Sequence, residues 1–450
     1  MSLNQRPPEY PGYPCVLAFA VTLAFTACGG GSGGDGSAAS TSPDTSGLEK
    51  RVVVTPGASN VVSKWNEIAF NTASVAPTPS GATPEERVAG PDVTTVQLAV
   101  YDAVIAVAAT HKPYAIVPTT TVAGAGPDAM QAAAIESAYR VLKRLFPSRG
   151  SFYEAAYVAD MSAVPDGEAK SLGRLAGSEV AAGILALRAN DGRETPLAPY
   201  VPGTLPGQFR GANPVNRITP YIRPFTTTSH SQFRPPAPYS VQSPAYAADL
   251  NEIKAIAAQT STQRTAVQEE VARFYTEPPN PFNSRNMRQF ATANASLADN
   301  ARVLAMLWTA QTDAVSGCFE AKYHYNFWRP TSGIQSAGTD DNPLTQADPT
   351  WVPFVATPNH PEYPAAHTCS GAAMMEALRS FYGTKNITFD FTSTATATTH
   401  HFTHTEHFLD DVRNGRVWGG MHYRTSADAG IEQAKNITRW MTQRYFQQID

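Results

Sequence analysis

The chain has 450 residues, room for one large domain or two ordinary ones, and 42% of them are apolar, ample for a substantial core. Its formal net charge of −4 excludes a surface that attracts nucleic acid as a whole, so any cationic feature belongs to a local site.

The N-terminus reads as an export signal. Val16 to Ala27 is an apolar run of signal-peptide length, too short to span a bilayer, and it ends in small residues at Cys28. Phe25-Thr26-Ala27-Cys28 resembles a bacterial lipobox, which makes Cys28 the candidate lipidation site. Residues 29–50 are Gly/Ser-rich, a leash that cannot build a core. The expected location is the periplasm or the outer membrane, as a lipid-anchored protein; a plain secretory signal with a disordered tail is the alternative. A lipid anchor would be the sole membrane contact, because no apolar run of membrane-spanning length is expected after Cys28.

Residues 51–450 read as one all-α helical domain, with a helical part over 58–192, a Pro-rich loop over 193–245 and a site-bearing helical part over 246–450. Asp128 to Phe146 and Glu168 to Asn190 carry apolar stripes at helical spacing. Val267, Val271 and Phe274 mark a short helix, and further helices are expected over Met287–Ala314, Ala373–Phe381 and Ala429–Phe446. Arg51 to Thr55 is the best strand candidate. The proline-rich stretch is either an ordered loop or lid, or a mere connector.

Three segments of the last third carry the chemistry. In the first, Lys322 and Arg329 stand seven apart, two helical turns, with Tyr323, Phe327 and Trp328 between them and Pro330 expected to stop the helix. Two such cations usually mark a solvated face, but the aromatic residues predict burial, and buried cations need an anion. In the second, His360-Pro361-Glu362-Tyr363-Pro364-Ala365-Ala366-His367 leads into an Ala/Met-rich helix whose free N–H groups suit an oxyanion. In the third, Arg416 and His422 are six apart, and Gly419-Gly420 supplies the break that lets both aim at one point. Together these segments offer three cations for a tetrahedral oxyanion and two histidines that can divide ligation or attack from proton transfer. His400, His401, His404 and His407 also cluster at helix-like spacing, but nothing completes a zinc site around them.

The pattern resembles the vanadium-dependent haloperoxidases and the related type-2 phosphatidic-acid and bacterial acid phosphatases. Lys322, Arg329 and Pro330 match the first part of their signature, Pro364 and His367 the second, and Arg416, Gly420 and His422 the third. Ala365 and Ala366 replace its Ser-Gly, Gly415 its serine, and Ser426 stands where phosphatases carry an aspartate. The resemblance implies a large helical bundle in which Lys322, Arg329, Arg416 and the Ala366 N–H hold the oxyanion. It implies that His422 ligates the vanadium of vanadate, that His367 is the general acid–base, and that Lys322 polarises bound peroxide. His360 sits where algal bromoperoxidases carry a second histidine, a pointer to bromide. The activity implied is halide oxidation by hydrogen peroxide. The alternatives are hydrolysis of a phosphomonoester through a phosphohistidine at His422, which needs no vanadate, and a non-catalytic surface lipoprotein. Since both motif segments must meet at one pocket, Cys318 and Cys369 are a candidate disulfide. The oligomeric state is left open, a homo-oligomer among the options.

Overall fold

The computed structural model describes residues 49–75, 88–291 and 296–449. The signal sequence, Cys28 and the linker as far as Leu48 lie outside them. Helices dominate: α1 Val61–Val75, α2 Gly90–Ala108, α3 Pro127–Leu145, α4 Gly150–Ser162, α5 Glu168–Leu187, α6 Pro244–Ile256, α7 Ala266–Phe274, α8 Pro279–Met287, α9 Leu297–Tyr325, α10 Pro330–Gln335, α11 Ala366–Tyr382, α12 Thr405–Trp418 and α13 Arg424–Thr442. The fold is all-α in character, with a single small sheet among the described residues: β1 Arg51–Val53 runs parallel to β2 Asn386–Ser393, and β3 Thr398–Phe402 pairs with β2 antiparallel.

Local chemistry sets the helix limits. Ser296 caps α9 by accepting from the Asp299 N–H at 3.0 Å, and Asn326 ends it in the left-handed conformation at φ 48°. Thr265 and Gln268 form a reciprocal capping box on α7. The expected helix over Met287–Ala314 is therefore corrected. Met287 closes α8, and the long helix starts ten residues later and runs on to Tyr325.

Two bundles share the core. α3 packs on α5 and α2, while α9, α11 and α13 pack on one another, with α2 bridging to α9. α2 is long and apolar enough to cross a membrane by composition, contrary to expectation, yet it lies buried among these helices. α13 approaches α11 closely enough that a Cβ at Gly430 would sit 2.8 Å from the Ala365 carbonyl. A second apolar cluster, including Tyr246, Phe327, Trp328, Trp351 and Tyr423, underlies the chemistry-bearing segments.

The proline-rich segment between α5 and α6 is fastened to that cluster. Phe209 N–H bonds the Asn326 carbonyl at 2.8 Å and Trp328 N–H bonds Gly207 at 2.9 Å. The Tyr325 and Tyr363 hydroxyls bond the Pro235 and Pro236 carbonyls at 2.6 and 2.8 Å.

Candidate oxyanion site

Each motif residue reaches the pocket from a helix end. Lys322 lies in the last turn of α9, fully buried, and its Nζ donates to the Pro361 and Glu362 carbonyls at 2.9 Å each. Arg329 does not share that helix, as the seven-residue spacing had suggested. The chain turns at Asn326, and Arg329 is the residue before α10, whose first residue is Pro330. The proline starts a helix here rather than stopping one, since a helix's first turn has no use for its missing N–H. Arg329 Nε donates to the His360 carbonyl and Nη1 to the Met421 carbonyl, both at 2.8 Å. Its Nη2 lies 3.0 Å from His360 Nδ1.

Ala365 precedes α11, Ala366 opens it and His367 occupies its first turn. Arg416 sits in the last turn of α12, and His422 lies in the turn that leads to α13. Gly420 makes that turn at φ 83°, where a Cβ would stand 2.9 Å from Pro353. The four histidines from 400 to 407 do not share a helix: His400 and His401 are on β3, and no metal-binding cluster occurs among the described residues. His400 instead lies between Asp411 at 2.7 Å and Glu270 at 2.8 Å.

The site is short of anions. Burial and the neighbouring Arg329 push the Lys322 ammonium well below its usual range, and the same two causes lower Arg416 to about 9. Burial lowers Arg329 to about 10 against the pull of Glu362. His360, His367 and His422 are all held well below the usual histidine range, by burial first and by the cations next. They rest neutral at physiological pH. Arg416 spends one nitrogen on the Tyr275 carbonyl at 3.1 Å, while its Nε and Nη2 have no partner among the described residues. A buried guanidinium with spare donors is costly unless an anion receives them.

Sequence reasoning passed over Glu362. It is fully buried, and its Oε1 lies 2.9 Å from His422 Nδ1 and 3.0 Å from the Tyr423 nitrogen. Burial raises its carboxyl to about 7, with Arg329 and Lys322 pulling the other way. A carboxylate inside a proline-aromatic run was the available signal. Beside the site, a cleft with about 280 Å³ of empty space is lined by His367 together with Tyr275, Phe282, Met374 and Phe408. His367 is partly accessible from it.

A family model for the VCPO second helical-bundle domain matches residues 302–450, which hold every motif residue. The fold aligns with a bacterial vanadium-dependent iodoperoxidase at a TM-score of 0.67 and 20% identity, covering 88% of this chain and all of that one. This is a vanadium haloperoxidase fold, and residues 302–450 match the model of a VCPO second helical-bundle domain. An apo-type bacterial vanadium-dependent chloroperoxidase aligns at a TM-score of 0.62 and 16% identity, over 82% of this chain and 96% of the other. By sequence, vanadium chloroperoxidase of Curvularia inaequalis is 31% identical over 102 residues, a match that spans 20% of this chain and 16% of that protein.

The residues of this haloperoxidase-fold pocket fit a vanadate ion. Arg416 offers two donors without partners among the described residues, three cations converge on His422, and His422 supplies a neutral ring nitrogen of the kind metals prefer.

Proposed function

We propose that the chain is a vanadate-dependent haloperoxidase that oxidises halide, bromide foremost, with hydrogen peroxide. One observation carries the reading: Lys322, Arg329 and Arg416 are buried together beside His422, and Arg416 keeps two donors without partners among the described residues. Such a pocket suits a compact oxyanion, and the proteins it resembles are named as vanadium-dependent.

Vanadate, when bound, supplies a Lewis-acid centre that makes a peroxide oxygen electrophilic toward halide. The chain supplies binding, orientation and proton management. The three cations hold the oxyanion's oxygens, with guanidinium forks matching its edges. The Ala366 N–H, at the start of α11, adds a donor where the helix dipole favours negative charge. His422 Nε2 would be the ligand atom. His360 keeps the Arg329 guanidinium in place, as their 3.0 Å contact supports. His367, neutral at rest and reached from the cleft, holds a proton at the pocket's mouth. Peroxide, halide and one proton yield hypohalous acid and water.

Export is part of the proposal. The Cys318–Cys369 disulfide supports it, because such bonds persist in oxidising compartments.

The test is purified protein with hydrogen peroxide and bromide on a halogen-accepting dye, with and without orthovanadate, and iodide in parallel. The expected result is vanadate-dependent halogenation that vanishes in His422→Ala. Phosphate release from an aryl phosphate, inhibited by orthovanadate and without any halogenation, would assign the pocket to hydrolysis instead.

A further inference from the structure

His422 is covered by a guanidinium and meets a carboxyl oxygen at one ring nitrogen. Arg329 Nη1 lies 3.0 Å from His422 Nε2, nearer than its 3.4 Å to Nδ1. Lying within 3.4 Å of both ring nitrogens, the guanidinium sits over the imidazole face rather than on the line of either lone pair, so this contact leaves the choice of tautomer to the other partner. On the other side Glu362 Oε1 stands 2.9 Å from Nδ1 and also receives the Tyr423 N–H at 3.0 Å. An oxygen already accepting one N–H is placed to accept the second. The Glu362 contact selects one neutral tautomer, with the hydrogen on Nδ1 and the lone pair on Nε2.

Glu362 is well placed to impose that choice. Its backbone carbonyl receives Lys322 Nζ at 2.9 Å and lies 3.4 Å from Ser426 Oγ, so one residue touches the ends of α9 and α13 as well as the imidazole. Its side chain is fully buried, which removes water as a competing partner for Nδ1. Ser426, four residues beyond His422, cannot play this part, because its hydroxyl is directed to the Glu362 backbone rather than to the ring.

We infer that Glu362 is a positioning residue for His422, fixing the Nδ1–H tautomer so that the Nε2 lone pair is presented to the oxyanion pocket. The inference rests on His422 being the ligand. The bond from Nδ1 to Glu362 is what orients the ring. Partners of this kind behind a ligating histidine typically contribute about 10–100-fold in affinity.

The experiment uses full-length protein labelled with nitrogen-15 in histidine, free of oxyanion, with the His422 signals identified by their loss in His422→Ala. The expected spectrum has Nδ1 protonated and Nε2 of the unprotonated type; the reverse pattern overturns the proposal without any need for a variant. Glu362→Leu keeps the volume but removes the acceptor, and is expected to mix the tautomers and weaken orthovanadate binding, read by vanadium-51 resonance, about 10–100-fold. Glu362→Gln keeps an acceptor oxygen and is expected to restore the tautomer and recover most of that affinity. Equal loss in both variants would make Glu362 a countercharge rather than a positioning residue, and an unchanged Leu variant would also overturn the idea. Wild-type protein that binds no orthovanadate would sink the vanadate reading itself, while the nitrogen spectrum would still decide the tautomer.

Discussion

Arg416 shows what the pocket costs when no anion is in it. Its guanidinium is buried, has one hydrogen bond to the Tyr275 carbonyl and two nitrogens with no partner among the described residues. Replacing a poorly compensated buried charge with an apolar side chain of similar length often stabilises a protein. Arg416→Met is therefore expected to raise the stability of anion-free protein by about 1–3 kcal/mol while abolishing orthovanadate-dependent activity. Thermal melts and the halogenation assay on one preparation check both halves; a destabilised variant would mean that Arg416 is structural. His400 supports the same region from outside the pocket. It stacks on Phe274 at 3.7 Å and bonds Asp411, which also accepts from the Tyr275 hydroxyl at 2.8 Å. Burial lowers its affinity for a proton, but hydrogen bonds donated to Asp411 and Glu270 outweigh that and raise it to about 9. A histidine raised above its unfolded value near 6.5 contributes its full stabilisation below that pH and loses it as pH rises through 9. The loss is about 3 kcal/mol. Urea titrations between pH 6 and 10 should show this decline in the wild type and a much flatter profile in His400→Gln.

At the scale of elements, α9 and α11 carry Lys322 and His367, and the Cys318–Cys369 disulfide joins them with a Cα separation of 6.4 Å. The bridge closes a 51-residue span that contains Arg329, His360 and Glu362 as well. Loop-closure entropy for a span of that length amounts to about 4 kcal/mol. A Cys318→Ser, Cys369→Ser double variant is expected to lose stability on that order and to bind orthovanadate more weakly; an unchanged denaturation midpoint would contradict it. The same elements show what the sequence made legible. Lys322, Arg329, His367, Arg416 and His422 stood out because cations set among aromatics and prolines have few structural uses. How the backbone delivers them did not. Arg329 seemed to share a helix with Lys322 because spacing alone cannot reveal that Asn326 adopts φ 48° and that Phe327 and Trp328 are tied to the proline-rich segment. α2 escaped notice for the opposite reason: nearly every position in it is buried, so no polar face marks a helical period. β2 carried a visible signal, since Ile387, Phe389 and Phe391 alternate into the core, yet the strand candidate named was Arg51 to Thr55. Glu362 was missed because a single carboxylate has no spacing partner; only the fold brings His422 to it.

At the scale of the whole molecule, a chain with a formal charge of −4 still gathers three buried cations at one pocket. Lys322, Arg329 and Arg416 are all depressed in proton affinity, so the folded state works against its own pocket until an anion enters. Binding to the folded state alone stabilises it by mass action, about 2.7 kcal/mol at a ligand concentration a hundred times the dissociation constant. Residues from Lys50 onward form one compact unit of roughly 400 residues. With the usual unfolding entropy per residue, that stabilisation corresponds to a rise in melting temperature of about 3 °C. Orthovanadate should produce this rise in peroxide-free buffer. Phosphate, nearly identical in shape and charge, should produce a smaller one and compete with it. Chloride at matched ionic strength should do neither, because general screening acts on exposed charges and these are buried. Arg416→Met should melt at the same temperature with or without either oxyanion. If orthovanadate leaves the wild-type melting temperature where it was, the convergence of three cations has some other purpose and the oxyanion reading fails before any turnover is measured.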